Sequence, residues 1–127
     1  MSDAGGPFNQ GSDWFWGVIA SSEGRRERLL EMVREMSKAD IRRFQEEFVE
    51  LRAELMDEPF DLYAKDSIDA LEDAAGWVIS KGREAYQAVL ADPTSMPIDV
   101  EGREGEILVG VAPRVYEERF SEPLDIF

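Results

Sequence analysis

Cysteine and histidine are both absent from the 127 residues. Without them the chain has no disulfide, no thiolate nucleophile, no Cys/His zinc site and no imidazole to serve as a general base near neutral pH. The lack of a disulfide framework fits a reducing compartment. Basic residues are scarce as well: 14 Lys and Arg stand against 28 Asp and Glu, a net charge of −14. Such a field repels nucleic acid and anionic membrane, so neither is expected as a partner. Long apolar runs are also missing. No segment approaches the roughly 18 apolar residues of a membrane span, and the opening residues, Met1 to Pro7, have neither the basic start nor the apolar run of a signal peptide. The expectation is a soluble, cytoplasmic protein.

What is present suffices for one core. Hydrophobic residues make up 43% and aromatics 10%, enough apolar material for a domain of this length. Gly5, Gly6, Pro7 and Gly11 come with few apolar anchors and mark residues 1–11 as a flexible arm, leaving 12–127 as a single helical domain. Ser12 or Asp13 caps a helix in which Trp14, Phe15, Val18 and Ile19 recur at three- and four-residue spacing. Leu29, Leu30, Val33 and Met36 give a second amphipathic stripe. The Ser37 to Asp40 stretch resembles a capping box and opens a long helix from about Lys38 to Met56, with Ile41, Phe44, Phe48, Leu51 and Leu55 on one side. Ser67 is placed to cap a further helix with Ile68, Leu71, Ala75, Val78 and Ile79 inward, and Gly82 separates it from a shorter one carrying Tyr86, Val89 and Leu90. The last periodic stretch, Ile107 to Phe120, contains Pro113, which removes a backbone donor and clashes with a preceding turn; a kink or two short helices are expected there. The fold class read from these patterns is all-α: one compact domain of about five to six helices, with at most one very short strand, Ile98 to Val100.

The charge is uneven. Seven acidic residues, Asp57, Glu58, Asp61, Asp66, Asp69, Glu72 and Asp73, fall within seventeen positions interrupted only by Lys65. Asp66, Asp69 and Asp73 project from the helix side opposite the apolar stripe at 100° per residue. Their spacing does not match a metal site: counted from Asp66, the third position of an EF-hand loop is Ile68, and the helical Glu-x-x-His pattern needs a histidine. A solvated face and a partner surface both remain open, and no metal or cofactor is expected. Trp77 lies nearer the acidic side than the apolar stripe, as a second-side core residue or an interface anchor. Arg83, beside Glu84 and Tyr86, can hold an anion through its rigid donor fork or close an ion pair with a carboxylate. Catalysis has little support, since no Gly-x-Ser-x-Gly elbow and no phosphate-cradling loop occurs, Gly102 to Gly105 lacking the Lys and Ser/Thr that such a loop needs.

Three stretches resemble a bacterial family, common in actinomycetes, known as domain of unknown function 4240. They are Phe15-Trp16 with the hydrophobic pair soon after; Met36 to Ile41 leading to Phe44; and Trp77 to Tyr86 leading to Leu90 and Pro93. Val111 to Glu118 is similar to the family's closing helix. The chain departs from the pattern at Pro113 and in the shorter stretch Asp61 to Ser67, which lacks a Cys before Ser67. The resemblance implies a compact helical domain and brings no activity, substrate or cofactor with it.

The residues themselves point to a non-enzymatic interaction module, inhibitor-like or immunity-like. It would dock a basic protein through Asp57, Glu58, Asp61, Asp66, Asp69 and Asp73, with Trp77 and Arg83 nearby, because concentrated carboxylates steer a cationic partner. The alternative is a carboxylate-based enzyme or small-ligand protein. A concave cleft with convergent polar groups would favour that alternative, and a flat acidic face the first reading.

Overall fold

The computed structural model describes residues 11–56, 68–96, 108 and 110–126. Among these, all regular structure is helical: α1 Asp13–Ser22, α2 Arg26–Arg34, α3 Lys38–Glu54, α4 Ile68–Ser80, α5 Arg83–Ala91 and α6 Val111–Phe120, with a 3-10 turn, Pro93–Ser95, following α5. The all-α expectation of five to six helices therefore holds. Ile98 to Val100, the one candidate strand, and Ser67, the expected cap of α4, lie outside the described residues.

The helix starts follow from local chemistry. Ser12 Oγ accepts the Phe15 amide at 3.1 Å and Ser37 Oγ accepts the Asp40 amide at 3.1 Å, each satisfying a donor that the first turn would leave unbonded. Ser12 does more than cap. Its amide and hydroxyl both donate to Glu47 of α3, at 2.7 and 3.0 Å, so the entry to α1 is fastened to the middle of the longest helix. Just before it, Gly11 is buried with φ +85°, and a Cβ there would stand 2.8 Å from Trp16 Nε1 and 3.2 Å from Leu51 Cδ1.

Helix α3 is central, with α4 and α6 lying on it; α2 packs on α1 and α6, and α5 on α4. Its apolar stripe is buried as the spacing predicts, through Ile41, Phe44, Phe48 and Leu51, with Leu55 just past the helix end. Phe15 of α1 stacks on Phe44 at 4.9 Å and meets Phe48 edge-on at 6.3 Å. Leu30, Val33, Leu71, Val78 and Tyr86 belong to the same buried cluster. Each large apolar side chain so buried stabilises the fold by about 1.5–3 kcal/mol before entropy is counted, so this cluster outweighs any surface ion pair.

At Pro113 the expectation of a kink or two short helices is corrected. Helix α6 is a single element that begins at Val111, which places Pro113 in its first turn. There the amide has no intrahelical acceptor and no preceding turn for the ring to strike, so proline is accommodated without a break. The segment after α6 folds back on α3: Leu124 is buried, and Gln45 Nε2 donates to the Ile126 carbonyl at 3.2 Å. Lys38 Nζ meets Glu122 Oε1 at 2.7 Å, and the Tyr116 hydroxyl donates to the same oxygen at 2.9 Å.

Candidate functional site

The acidic stretch singled out by sequence lies largely outside the described residues: Asp57, Glu58, Asp61 and Asp66 all do. Asp69 falls in the first turn of α4, and Asp73 is exposed one turn further on, with Glu72 half-buried beside it. Among the described residues no group of three or more carboxylates could hold a metal ion. Asp73, in the middle of α4, is thus an exposed carboxylate.

Trp77 is half-buried and packs against the core, with Lys81 Nζ 5.0 Å from the centre of its ring. Its body is therefore a second-side core residue, and a cation covers the ring. Arg83 closes an ion pair, as its guanidinium chemistry allows, but with a carboxylate no local pattern shows: Nη1 donates to Asp13 Oδ1 of α1 at 2.7 Å across seventy positions of sequence. Asp13 is 94% exposed and Arg83 41%, so the pair is a solvent-screened tie between the starts of α1 and α5.

That tie stands at one end of a cleft the sequence reading did not identify. With a volume of about 560 Å³, it runs between α1 and the turn joining α4 to α5. Trp16, Gly17, Ile19 and Ala20 of α1 form one wall, continued by Glu23 and Gly24; residues 80–84 form the other. Both walls depend on tight backbone geometry. Glu23 takes a left-handed conformation, φ 56°, so that its amide returns to the Ala20 carbonyl and α1 stops abruptly. Gly82, at φ 108° and ψ 177°, holds a conformation closed to L side chains and lets α5 start with only two residues between it and α4.

The polar groups of the cleft divide into those with structural employment and those without. Ser80 is buried; its Oγ donates to the Gly76 carbonyl at 2.8 Å and accepts the Leu108 amide at 2.9 Å, pinning the approach to α6 onto α4. Arg83 is held by Asp13, and Lys81 lies over Trp77. Glu23 and Glu84 are exposed, and among the described residues neither has an ion-pair partner. In sequence the cleft draws on Trp16 and on Ser80 to Glu84, which fall in two of the stretches that carried the family resemblance. The signal for it was Gly17, a helix-breaking residue in the middle of an otherwise apolar helical period.

Comparison with known proteins adds one finding. A family model described as a protein of unknown function (DUF4240) matches residues 11–118. No curated protein and no solved structure matches the chain. Within the described residues, no helix is long and apolar enough to cross a membrane.

Proposed function

Because this chain belongs to the DUF4240 family, whose description assigns no activity, we propose from its own residues that it is a bacterial, cytoplasmic, non-enzymatic interaction module that docks a basic protein partner. The observation that supports this reading is the employment of its cations. Arg34, Lys38, Arg43, Arg83 and Arg114 each close an ion pair with a carboxylate of the same chain. Arg28 and Arg119 donate to the main-chain carbonyls of Ser21 and Met36. At least seven of the 14 basic residues are thus held in intrachain ties, and the net charge of −14 acts outward.

Magnitude decides what that excess can do. For a compact body of roughly 18 Å radius, water's dielectric and physiological screening give a unit cation at the surface about 1 kcal/mol of attraction. One lysine cannot bind on so little, but a basic surface with several cations is steered effectively, and an anionic ligand is disfavoured by the same amount per charge. This weighs against the enzyme or small-anion alternative even though a cleft exists.

The test begins with capture of binding proteins at low salt, elution by raised salt, and kinetics on the purified partner. Converting Asp66, Asp69 and Asp73 together to Asn is expected to slow association about tenfold at low salt and flatten its salt dependence, with the fold retained. Association that is salt-independent, or a folded triple variant with unchanged on-rate and salt slope, would remove the reading.

A further inference from the structure

Gly17 stands in the middle of α1, where glycine weakens a helix, yet beyond its chain neighbours and the backbone of its own helix no atom lies within 4 Å of the position a Cβ would occupy. Packing does not demand glycine there, and its φ is not in the left-handed range where glycine would be required. By contrast Gly11, six residues earlier, is required on both counts. What the absent side chain preserves at Gly17 is open space, and that space is the cleft between α1 and the α4–α5 turn. A residue that costs stability and supports no contact of the fold marks a surface kept open for something else.

The chemistry of the cleft says what. Its α1 wall is apolar at Trp16, Ile19 and Ala20, and suits the methylene stem of a long side chain. Its two cations are engaged elsewhere, Arg83 by Asp13 and Lys81 over Trp77, whereas Glu23 on one wall and Glu84 on the other have no ion-pair partner among the described residues. We propose that this cleft is the seat for a lysine or arginine side chain of the basic partner, with its stem on Trp16 and Ala20 and its charged head met by Glu23 and Glu84. The proposal rests on the reading of the protein as a module for a basic partner and names the place where that partner anchors. A free carboxylate or phosphate is the competing occupant, and it is opposed both by the unpaired glutamates and by the net charge of the chain.

The experiment is titration of the isotope-labelled full chain with an end-blocked peptide of alternating arginine and glycine, followed by amide and indole resonances. The same peptide with citrulline for arginine, and inorganic phosphate, serve as controls. The arginine peptide is expected to shift the Gly17, Gly24 and Gly82 amides and the Trp16 indole, and the citrulline peptide to leave them in place. Gly17→Leu, at an exposed site with room around it, is expected to fold normally and weaken the peptide about tenfold or more. Glu23→Gln with Glu84→Gln is expected to weaken it similarly. If the peptide binds with a salt-dependent affinity but shifts other resonances and ignores these variants, the cleft is not the anchor, while the reading of a basic partner stands. If the arginine peptide shifts nothing, or phosphate alone moves the cleft resonances, the proposal is overturned; absence of any salt-dependent peptide binding removes the underlying reading as well.

Discussion

The Tyr86 hydroxyl donates to the Leu51 carbonyl at 3.0 Å, joining α5 to α3 inside the core. Leu51 belongs to the last turn of α3, where carbonyls run out of intrahelical donors, and the Leu55 amide turns to Arg52 instead. A side chain from another helix therefore completes the end of α3. Tyr86→Phe should destabilise the protein by about 1–2 kcal/mol, since a buried acceptor loses its donor. Urea unfolding measures it, and a change under about 0.3 kcal/mol would show that water replaces the phenol at no cost.

The same residue predicts an alkaline limit. Burial, with Glu54 nearby, pushes the Tyr86 phenol well above its ordinary range. The folded chain then holds that proton more tightly than the unfolded one. Its contribution is fully present below about pH 10, the unfolded value, and is lost as pH rises past it. Stability of the native chain should fall more steeply above about pH 10 than that of Tyr86→Phe; parallel curves would exclude Tyr86 as the cause.

At the other extreme, the hydrogen bond from Lys38, aided by that from Tyr116, holds the Glu122 carboxyl below the usual carboxylate range. A lowered folded pKa gives stability that is present above the unfolded value and lost as pH falls through the folded one. The protection of the 124–126 amides, exchange being taken relative to the intrinsic rate at each pH, should fall on acidification in the native chain. In Glu122→Gln it should already be lower at neutral pH and respond less to acid, an effect kept small because both side chains of the pair are half exposed. Equal exchange in both proteins would show that Leu124 alone holds the tail.

Phe48, 2% exposed and set against Phe15 and Phe44, tests the core. Phe48→Ala should lose about 3–5 kcal/mol through transfer and cavity terms together. Denaturant unfolding that shows a loss below about 1 kcal/mol would mean the ring cluster closes over the gap.

Gly11, just before α1, and Gly17, within it, separate a structural from an open position. Gly17→Ala should stabilise the protein by about 0.5–1 kcal/mol, because α1 gains helix propensity and nothing is struck. Gly11→Ala should destabilise it by about 1–3 kcal/mol, because φ +85° is strained for alanine and the methyl meets Trp16 and Leu51. Melting curves of both variants decide the matter; a destabilised Gly17→Ala would mean that α1 needs glycine for its own packing.

What the sequence determined is what acts within about one helical turn. Ser12 and Ser37 cap because a hydroxyl reaches an amide three residues on, and the stripes of α1, α3 and α5 were legible because burial on one helix face repeats at fixed spacing. Composition likewise set the charge and excluded thiol and imidazole chemistry. Tertiary structure decided the rest. Pro113 breaks a helix or opens one according to where α6 begins, and α6, packed against α2 and α3, begins at Val111. That Arg83 finds Asp13, that Tyr86 reaches Leu51, and that Gly17 faces empty space beside Glu23 and Glu84 depend on how helices far apart in sequence are brought together. No periodicity within one helix encodes the gap between two, so the cleft becomes visible only when α1 is set beside the α4–α5 turn.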